Sequence, residues 1–530
     1  MMSSDRNEGS IILRMKRGRV DEESIGGVYS KHDIWITSAS SSFEKSSVYT
    51  SSWWGISSGS IELVPFRNKF SDIFELEESS DLRCGPVDIF AIRCFNASTE
   101  VSILQILSEI EYADVSLLPY LLGPPAIPQK RKFVSPLVIM KGYQSTVAKT
   151  RAALIDGKNI KQTQKILVDT CKEYMLNEDQ TEVIQQVFNT FYGIPSINNP
   201  TNSAIVLCQG VFGAGKSYMV TILIFLLGKI KNATLFNMDF KVCLTAMTNV
   251  AVDGILIKLI EMGFDDLVRI GSLKKIARCV LPFTMKKSES GDSNCSNEIR
   301  DLEDMLVQVD QNALQDRRDI EAALENFKST KNNIGINDVL LVAATCQSSL
   351  FTAVDVIDKD TVGLLIVDEI SQLLEPVILM PITRFGAKCM VLIGDPLQLP
   401  PNIPNGFSGN GKGLEQSLFS RLASDPTSPQ EGWLAPVVLR TQYRCHPQIS
   451  EISNKLFYDN VLVDHTTPET RPPLLDTLPP VLFVQSDGIE SPIKGGSFVN
   501  VRECEIIVEL VKTLVEKFNI AEIGVISLCN

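Results

Sequence analysis

Eight consecutive residues, Gly210-Val211-Phe212-Gly213-Ala214-Gly215-Lys216-Ser217, satisfy the spacing G-x-x-x-x-G-K-S/T in full. Three glycines at these positions let the backbone turn with successive N–H groups pointing inward, a concave nest for phosphate oxygens. The lysine adds a charge that reaches β- and γ-phosphates, and the serine hydroxyl is an oxygen ligand for Mg²⁺. Gly210, Gly213, Ala214, Gly215, Lys216 and Ser217 are therefore the expected nucleotide-holding set, with ATP and Mg²⁺ as its ligands. A plain glycine-rich turn has no need of Lys-Ser at its exit.

Downstream, Leu364-Leu365-Ile366-Val367-Asp368-Glu369 reads as a buried strand that ends in two acids. Asp368 at the carboxyl end can hold Mg²⁺ through water, and Glu369 can orient or deprotonate the attacking water. An acidic pair there could also cap the next helix. The phosphate loop in the same run favours the catalytic reading, because hydrolysis needs both parts. Gly394-Asp395-Pro396-Leu397-Gln398-Leu399-Pro400-Pro401 ends another strand and puts Gln398 where it can sense a γ-phosphate.

Such residues need a scaffold. One apolar run, 204–208, enters the loop and another, 219–227, leaves it, the strand–loop–helix setting that aims a helix N-terminus at phosphate. Over 166–425, apolar runs at 204–208, 242–246, 339–343, 364–367 and 390–393 alternate with helical stretches. That alternation predicts a parallel sheet covered on both faces. Residues 288–335 interrupt it with polar helical text, Ile299, Leu302, Met305, Leu306 and Val309 recurring at helical spacing, and read as an inserted hairpin. A second α/β unit is expected over 426–530, with strands at 437–439 and 481–484, a helix at about 500–518 and a buried strand at 523–527. Upstream, β-like runs at 33–37, 61–64 and 87–92 predict a small β-rich domain over 31–122, whose segment 99–122 reads as helical. Residues 123–165 read as linker and helical stalk, and 1–30 as a solvated, disordered tail.

Composition narrows the classes. No apolar run approaches the ~20 residues of a membrane span, and the polar, basic start lacks a signal-peptide core. Twelve cysteines contain no Cys-x-x-Cys pair and there are three histidines, so neither structural zinc nor a disulfide framework is expected. A soluble protein in a reducing, intracellular compartment follows. The net charge of −13 argues against a protein coated with basic surface, but not against a local basic groove.

Several motifs then share one resemblance. Asp368-Glu369-Ile370-Ser371-Gln372, the Gly394 to Pro401 segment and Gln442-Tyr443-Arg444-Cys445-His446-Pro447 resemble motifs of superfamily-1 helicases of the up-frameshift type. So do Leu176-Asn177-Glu178-Asp179-Gln180, Thr248-Asn249-Val250-Ala251-Val252-Asp253, Val268-Arg269-Ile270-Gly271-Ser272 and Gly413-Leu414-Glu415-Gln416-Ser417-Leu418-Phe419. Within the family the resemblance is nearest to the helicase region of the branch with a GRF-type zinc finger. The Val-Phe of the phosphate loop, Lys31-His32-Asp33-Ile34-Trp35-Ile36 and Cys94-Phe95-Asn96-Ala97-Ser98-Thr99-Glu100 carry that point.

The resemblance spans about 30–527. It implies a P-loop NTPase with two tandem RecA-like domains, working as an ATP-dependent 5′-to-3′ helicase on single-stranded DNA, with RNA as the alternative. DNA repair or genome maintenance in the nucleus is the implied setting. It further implies that Gln180 reads adenine, Tyr443 stacks on the base and Arg444 reaches the γ-phosphate from the second domain. For Arg444 the alternative is a structural salt bridge. Thr248, Asn249 and Thr345 would touch the strand backbone. Arg269 would either help there or serve the fold. His446 would pack and Cys445 would be inert.

An unrelated P-loop ATPase acting on protein would have no use for the Gln442-Tyr443-Arg444 and Thr248-Asn249 motifs. Two departures stand out: the GRF zinc finger has no counterpart, and the sequence ends where relatives continue their second motor domain with another arginine. The second domain is accordingly expected to be incomplete. The competing expectation is a protein that binds ATP and single strands but hydrolyses poorly.

Overall fold

The computed structural model describes residues 11–14, 32–38, 47–55, 60–65, 90–110, 115, 117–121, 160–192, 203–233, 240–285, 294–310, 313–328, 335–350, 354–403, 416–423, 434–475, 478–492, 497–518 and 522–527. The chain divides into two compact units, Met1–Arg440 and Thr441–Asn530.

The first unit opens with strands β1 (Ile11–Arg14), β2 (Asp33–Ser38), β3 (Ser47–Gly55), β4 (Ser60–Pro65) and β5 (Phe90–Asn96), an antiparallel sheet in the order β1-β4-β3-β2-β5. Its polar anchor is Asp33, buried and gripped by Arg93 Nε at 2.8 Å, Arg93 Nη2 at 3.1 Å and Asn96 Nδ2 at 2.9 Å. The reading of 1–30 as a tail does not hold for Ile11–Arg14, which pair with β4; the rest of that segment lies outside the described residues. The helical segment 99–122 is two pieces, α1 (Ser98–Glu109) and α2 (Leu118–Leu121). Of the expected linker and stalk, 123–159 lies outside the described residues, and 160–165 begins helix α3 (Ile160–Glu173).

The α/β region follows as α4 (Glu178–Tyr192), β6 (Ile205–Gly210), α5 (Lys216–Asn232), β7 (Lys241–Ala246), α6 (Asn249–Glu261) and β8 (Leu267–Ile270). Helices α7 (Asn294–Gln308) and α8 (Leu314–Lys328) come next, then β9 (Leu341–Thr345), β10 (Val362–Val367), α9 (Glu375–Phe385), β11 (Cys389–Gly394), α10 (Leu418–Leu422) and β12 (Val437–Leu439). Seven strands form one parallel sheet in the order β12-β6-β11-β10-β7-β9-β8. Every residue of β7, β9, β10 and β11 is buried. Burial on both faces is why these strands read as continuous apolar runs rather than alternating ones. The expected α/β class with a helical insertion is what the chain adopts. In the insertion, α7 and α8 pack through Leu302, Ile320, Ala323 and Phe327, and Lys328 Nζ reaches Glu303 at 2.8 Å across them.

One boundary is corrected. Residues 437–439, assigned from sequence to the second α/β unit, add a strand to the edge of the first sheet, with Val437 opposite Cys208 and Leu439 opposite Gly210. A three-residue apolar run states only that it is to be buried; the exposed edge of β6 decides where. Ser417 caps α10 by accepting from Ser420 N, whereas Gly413-Leu414-Glu415 of the same motif lies outside the described residues.

The second unit contains β13 (Thr441–Gln442), α11 (Pro447–Phe457), β14 (Val463–Asp464), β15 (Ser491–Pro492), β16 (Phe498–Val499) and α12 (Val501–Phe518). Gln442 is its hub. Its Nε2 donates to Asp464 Oδ1 at 2.6 Å, Thr466 Oγ1 at 3.0 Å and Cys445 O at 3.0 Å, while its Oε1 accepts from the N–H groups of Arg444 and Cys445. The helix expected at about 500–518 is present, with no residue buried. The strands expected at 481–484 and 523–527 are not formed; Phe483 and Ile526 are largely exposed. An apolar run becomes a strand only when it joins a ladder with a neighbouring strand, and among the described residues neither segment does. Among the described residues, no helix is long and apolar enough to cross a membrane.

Candidate functional site

The phosphate loop leaves the carboxyl end of β6 and enters α5. Gly213 (φ 65°) and Gly215 (φ 73°) occupy the left-handed region, which is what curls the loop. Gly210 has no room for a side chain, since a Cβ there would lie 2.4 Å from Lys216 Cγ. That space lets Lys216 fold back beneath the loop, its Nζ donating to Gly210 O at 2.7 Å and Val211 O at 3.0 Å. Helix α5 starts at Lys216 without a side-chain cap, directly after the loop, so its N-terminal end with its positive dipole adjoins the loop.

Gln180 touches the same loop. It is buried, and its Nε2 donates to Ala214 O at 3.1 Å. Asn177 and Gln180 brace each other reciprocally: Asn177 Oδ1 accepts from Gln180 N at 2.8 Å and Gln180 Oε1 from Asn177 N at 3.2 Å. A Cβ on Gly215 would stand 2.7 Å from Gln180 Nε2, so the glycine makes this approach feasible.

The two acids emerge at the end of β10. Asp368 is buried and its Oδ1 accepts from Glu369 N at 2.9 Å. Burial pushes its carboxyl up to about 6, against the pull of the Glu369 N–H bond and the Lys216 ammonium. Glu369 takes a left-handed conformation (φ 54°), unusual for a residue with a side chain and of the kind that concentrates at functional turns. At the end of β11, the buried Asp395 accepts from Gln398 Nε2 at 2.9 Å and Leu397 N at 3.2 Å, so the exposed Gln398 is aimed by a fixed carboxylate. Between these elements, Cys208 feels both Lys216 and Asp368, and burial pushes its thiol up to about 12.

The residues present fit a nucleotide with its cation. Two glycines of the loop curl in the left-handed region, and a Cβ at Gly210 or Gly215 would displace Lys216 or Gln180, the side chains placed against the loop. Ser217 and Asp368 offer hard oxygens, the donors that Mg²⁺ takes from a protein when phosphates complete its shell. Sequence reading missed Arg440, which donates to Asp179 through its backbone N at 3.0 Å, Nε at 3.2 Å and Nη2 at 2.6 Å, beside Gln180. No spacing rule connects residues so far apart. Burial alone would raise the Asp179 carboxyl; the Arg440 contacts outweigh it and hold the group below its ordinary value.

A second set of residues lies on the same carboxyl rim, at the ends of β7 and β9, which are neighbours. Thr248 is exposed and caps α6, its Oγ1 accepting from Ala251 N at 3.2 Å. Asn249 is half-buried, and its Oδ1 accepts from Arg269 Nη2 at 2.7 Å. Thr345 is buried, and its hydroxyl donates to Ser348 Oγ at 2.9 Å. Of the two readings of Arg269, its complete burial against Asp253 (Nε–Oδ1 2.7 Å) excludes a direct contact with a strand. Gln347, next to this rim, accepts from Thr99 Oγ1 at 3.1 Å and so ties α1 to the parallel sheet.

Tyr443 and Arg444 belong to the second unit. The Tyr443 ring lies 4.6 Å from that of His465. His446 caps α11, its Nδ1 accepting from Gln448 N at 3.0 Å, and burial pushes the Cys445 thiol up.

Family profiles described as AAA domain match residues 175–405 and 414–530. The chain is 32% identical to the 5'-3' DNA helicase ZGRF1 of Mus musculus, over 98% of its own length and 27% of that protein. It is 27% identical to the DNA replication ATP-dependent helicase/nuclease DNA2 of Homo sapiens, over 61% of this chain and 28% of the relative. The ATP-dependent helicase NAM7 of Saccharomyces cerevisiae is 27% identical over 59% of this chain and 31% of the relative. The chain thus spans less than a third of the length of each of these curated relatives.

Proposed function

The chain belongs to the superfamily-1 helicases of the up-frameshift type, and on that premise we propose that it is an ATP-driven 5′-to-3′ DNA helicase motor. Its track is single-stranded DNA and its setting DNA repair or genome maintenance in the nucleus, as the likeness to a 5'-3' DNA helicase and to a DNA replication helicase suggests. The observation that carries the proposal is one parallel sheet whose carboxyl rim bears both a glycine-rich loop with Lys-Ser at its exit and a group of polar residues, Thr248, Asn249 and Thr345, at the ends of two neighbouring strands.

In this reading the loop N–H groups and Lys216 hold the phosphates, and Ser217 and Asp368 hold Mg²⁺. Glu369 orients the attacking water, and Gln398 senses whether a γ-phosphate is there. Gln180 and Tyr443 hold the base, and Arg444 supplies positive charge from the second unit. ATP with Mg²⁺ supplies the phosphoanhydride whose cleavage powers the cycle. Thr248, Asn249 and Thr345 contact the strand. A short backbone route joins the two sets: Asp368 N donates to Thr245 O at 2.9 Å, three residues before Thr248. A change at the acid end of β10 therefore reaches the neighbouring strand directly.

The test is ATP turnover by the purified chain with and without single-stranded oligonucleotides, followed by unwinding of duplexes with a 5′ or a 3′ tail. Strong stimulation by DNA and separation of the 5′-tailed duplex are expected. Tight ATP and strand binding without turnover would overturn the motor reading, and stimulation by RNA alone would move the substrate.

A further inference from the structure

We infer that Arg269, though sealed from solvent, is a positioning residue for strand binding, because it fixes which end of the Asn249 amide is presented. The inference rests on the reading of Asn249 as a strand contact.

The geometry is complete. Arg269 stands at the carboxyl end of edge strand β8 with no exposed surface. Its Nε donates to Asp253 Oδ1 at 2.7 Å, its Nη1 to Ile270 O at 2.6 Å and its Nη2 to Asn249 Oδ1 at 2.7 Å. Asn249 and Asp253 are four residues apart on α6 and therefore share a face, so both address one guanidinium. The other Asp253 oxygen accepts from Ala277 N at 2.8 Å, tying in the following loop. Gly271 supplies the room, since a Cβ there would come within 3.1 Å of Arg269 Nη1 and 3.3 Å of Ile276 Cδ1.

A guanidinium only donates. An amide beside it must turn its carbonyl inward, which leaves the NH₂ group as the outward end of Asn249. That is the polarity a phosphate or sugar oxygen requires. Without the arginine the amide could flip and present an acceptor, which repels phosphate. Replacing a buried ion pair by apolar side chains is often neutral for stability, so stability alone gives little reason for a charge here. Fixing an amide at the rim does.

The experiment uses the full chain, a fluorescein-labelled oligothymidylate for strand affinity, and a fluorescent ATP analogue with Mg²⁺ for nucleotide affinity. Arg269→Lys keeps the charge but loses the three-way fork. It is expected to weaken strand binding about three- to tenfold, the worth of one hydrogen bond, with nucleotide affinity unchanged. In an Asn249→Ala background the same change is expected to add nothing further. Asn249→Asp still accepts from Arg269 but offers no donor outward, and is expected to bind the strand more weakly than Asn249→Ala.

If Arg269→Lys loses its cooperative melt, Gly271→Ala decides, since it leaves every hydrogen-bonding group in place and crowds only the guanidinium and the end of the Ile276 side chain. It too should weaken the strand and not the nucleotide, and only where Asn249 is intact. Normal strand affinity in the folded Arg269 or Gly271 variants, or equal losses with and without Asn249, overturns the inference. An Asn249→Ala variant that binds the strand normally overturns instead the reading on which it rests.

Discussion

The phosphate loop and the rim proposed to meet the nucleic-acid strand sit on the carboxyl ends of one parallel sheet, yet they are built by different means. The loop, or cradle, is shaped by backbone: two glycines in the left-handed region, a third leaving space for Lys216, and a lysine that bonds to the loop's own carbonyls. The rim is shaped by side chains: a threonine cap, an amide and a hydroxyl, with the amide held by a buried ion pair from another strand. A backbone site is specified within eight residues. A side-chain site is specified by contacts such as that between Asn249 and Arg269, which are 20 residues apart.

The largest expected effect tests whether the two can be separated. Lys216→Ala removes the charge that meets the phosphates, and a loss of about 10²–10³ in ATP turnover is expected, as for the removal of one well-placed transition-state donor. Strand affinity at low salt should stay near that of the parent, because Lys216 serves the loop end of the sheet. Steady-state ATPase and fluorescence polarisation on one preparation measure both. A parallel collapse of strand binding would show that the cradle and the rim are a single site.

Next in size is a stability effect that belongs to the rim. Arg269→Ala leaves Asp253 charged, buried and without its partner, and a cost of about 3–5 kcal/mol in urea denaturation is expected. Lys216→Ala, whose amine bonds to the carbonyls of Gly210 and Val211 and is partly exposed, should change stability far less. If the two variants melt alike, the claim that the rim alone depends on a buried charge is wrong.

The same contrast explains what could be read in advance. The loop was legible because its glycines and Lys-Ser state a local conformational need. Strands β7, β9, β10 and β11 were legible because burial on both faces forces continuous apolar text. The inserted hairpin was legible because Leu302 and Val309 recur at helical spacing and are buried. Partners were not legible. Residues 437–439 had the composition of any short strand, and only the open edge of β6 drew them into the first sheet. Segments 481–484 and 523–527 look as strand-like as 437–439, but among the described residues neither joins a sheet. Ile11–Arg14 lay within polar text that gave no sign of pairing with β4. Apolar pattern states that a segment needs cover and is silent on what provides it.

The smallest expected effect lies beside the cradle, where one ion pair resembles the rim's in kind but differs in exposure. Arg440 is 55% exposed and Asp179 14%, against 0% and 4% for Arg269 and Asp253. Solvent screening should therefore hold the cost of Arg440→Ala to under about 1 kcal/mol near neutral pH. The sign of its pH dependence follows from Asp179, whose folded-state carboxyl Arg440 holds below its ordinary value against the opposing effect of burial. A carboxyl depressed on folding contributes stability that is present above its unfolded value, about 3.9 for aspartate, and is lost as pH falls through the folded one. The gap between parent and Arg440→Ala in urea denaturation should thus be level from neutral pH down to about 5 and close below about 4. A gap that persisted at low pH would mean that Arg440 acts by packing its stem, not through charge, since the alanine variant keeps the backbone N–H to Asp179. Charge in this molecule would then matter where it is buried, beneath the rim, and not beside the cradle.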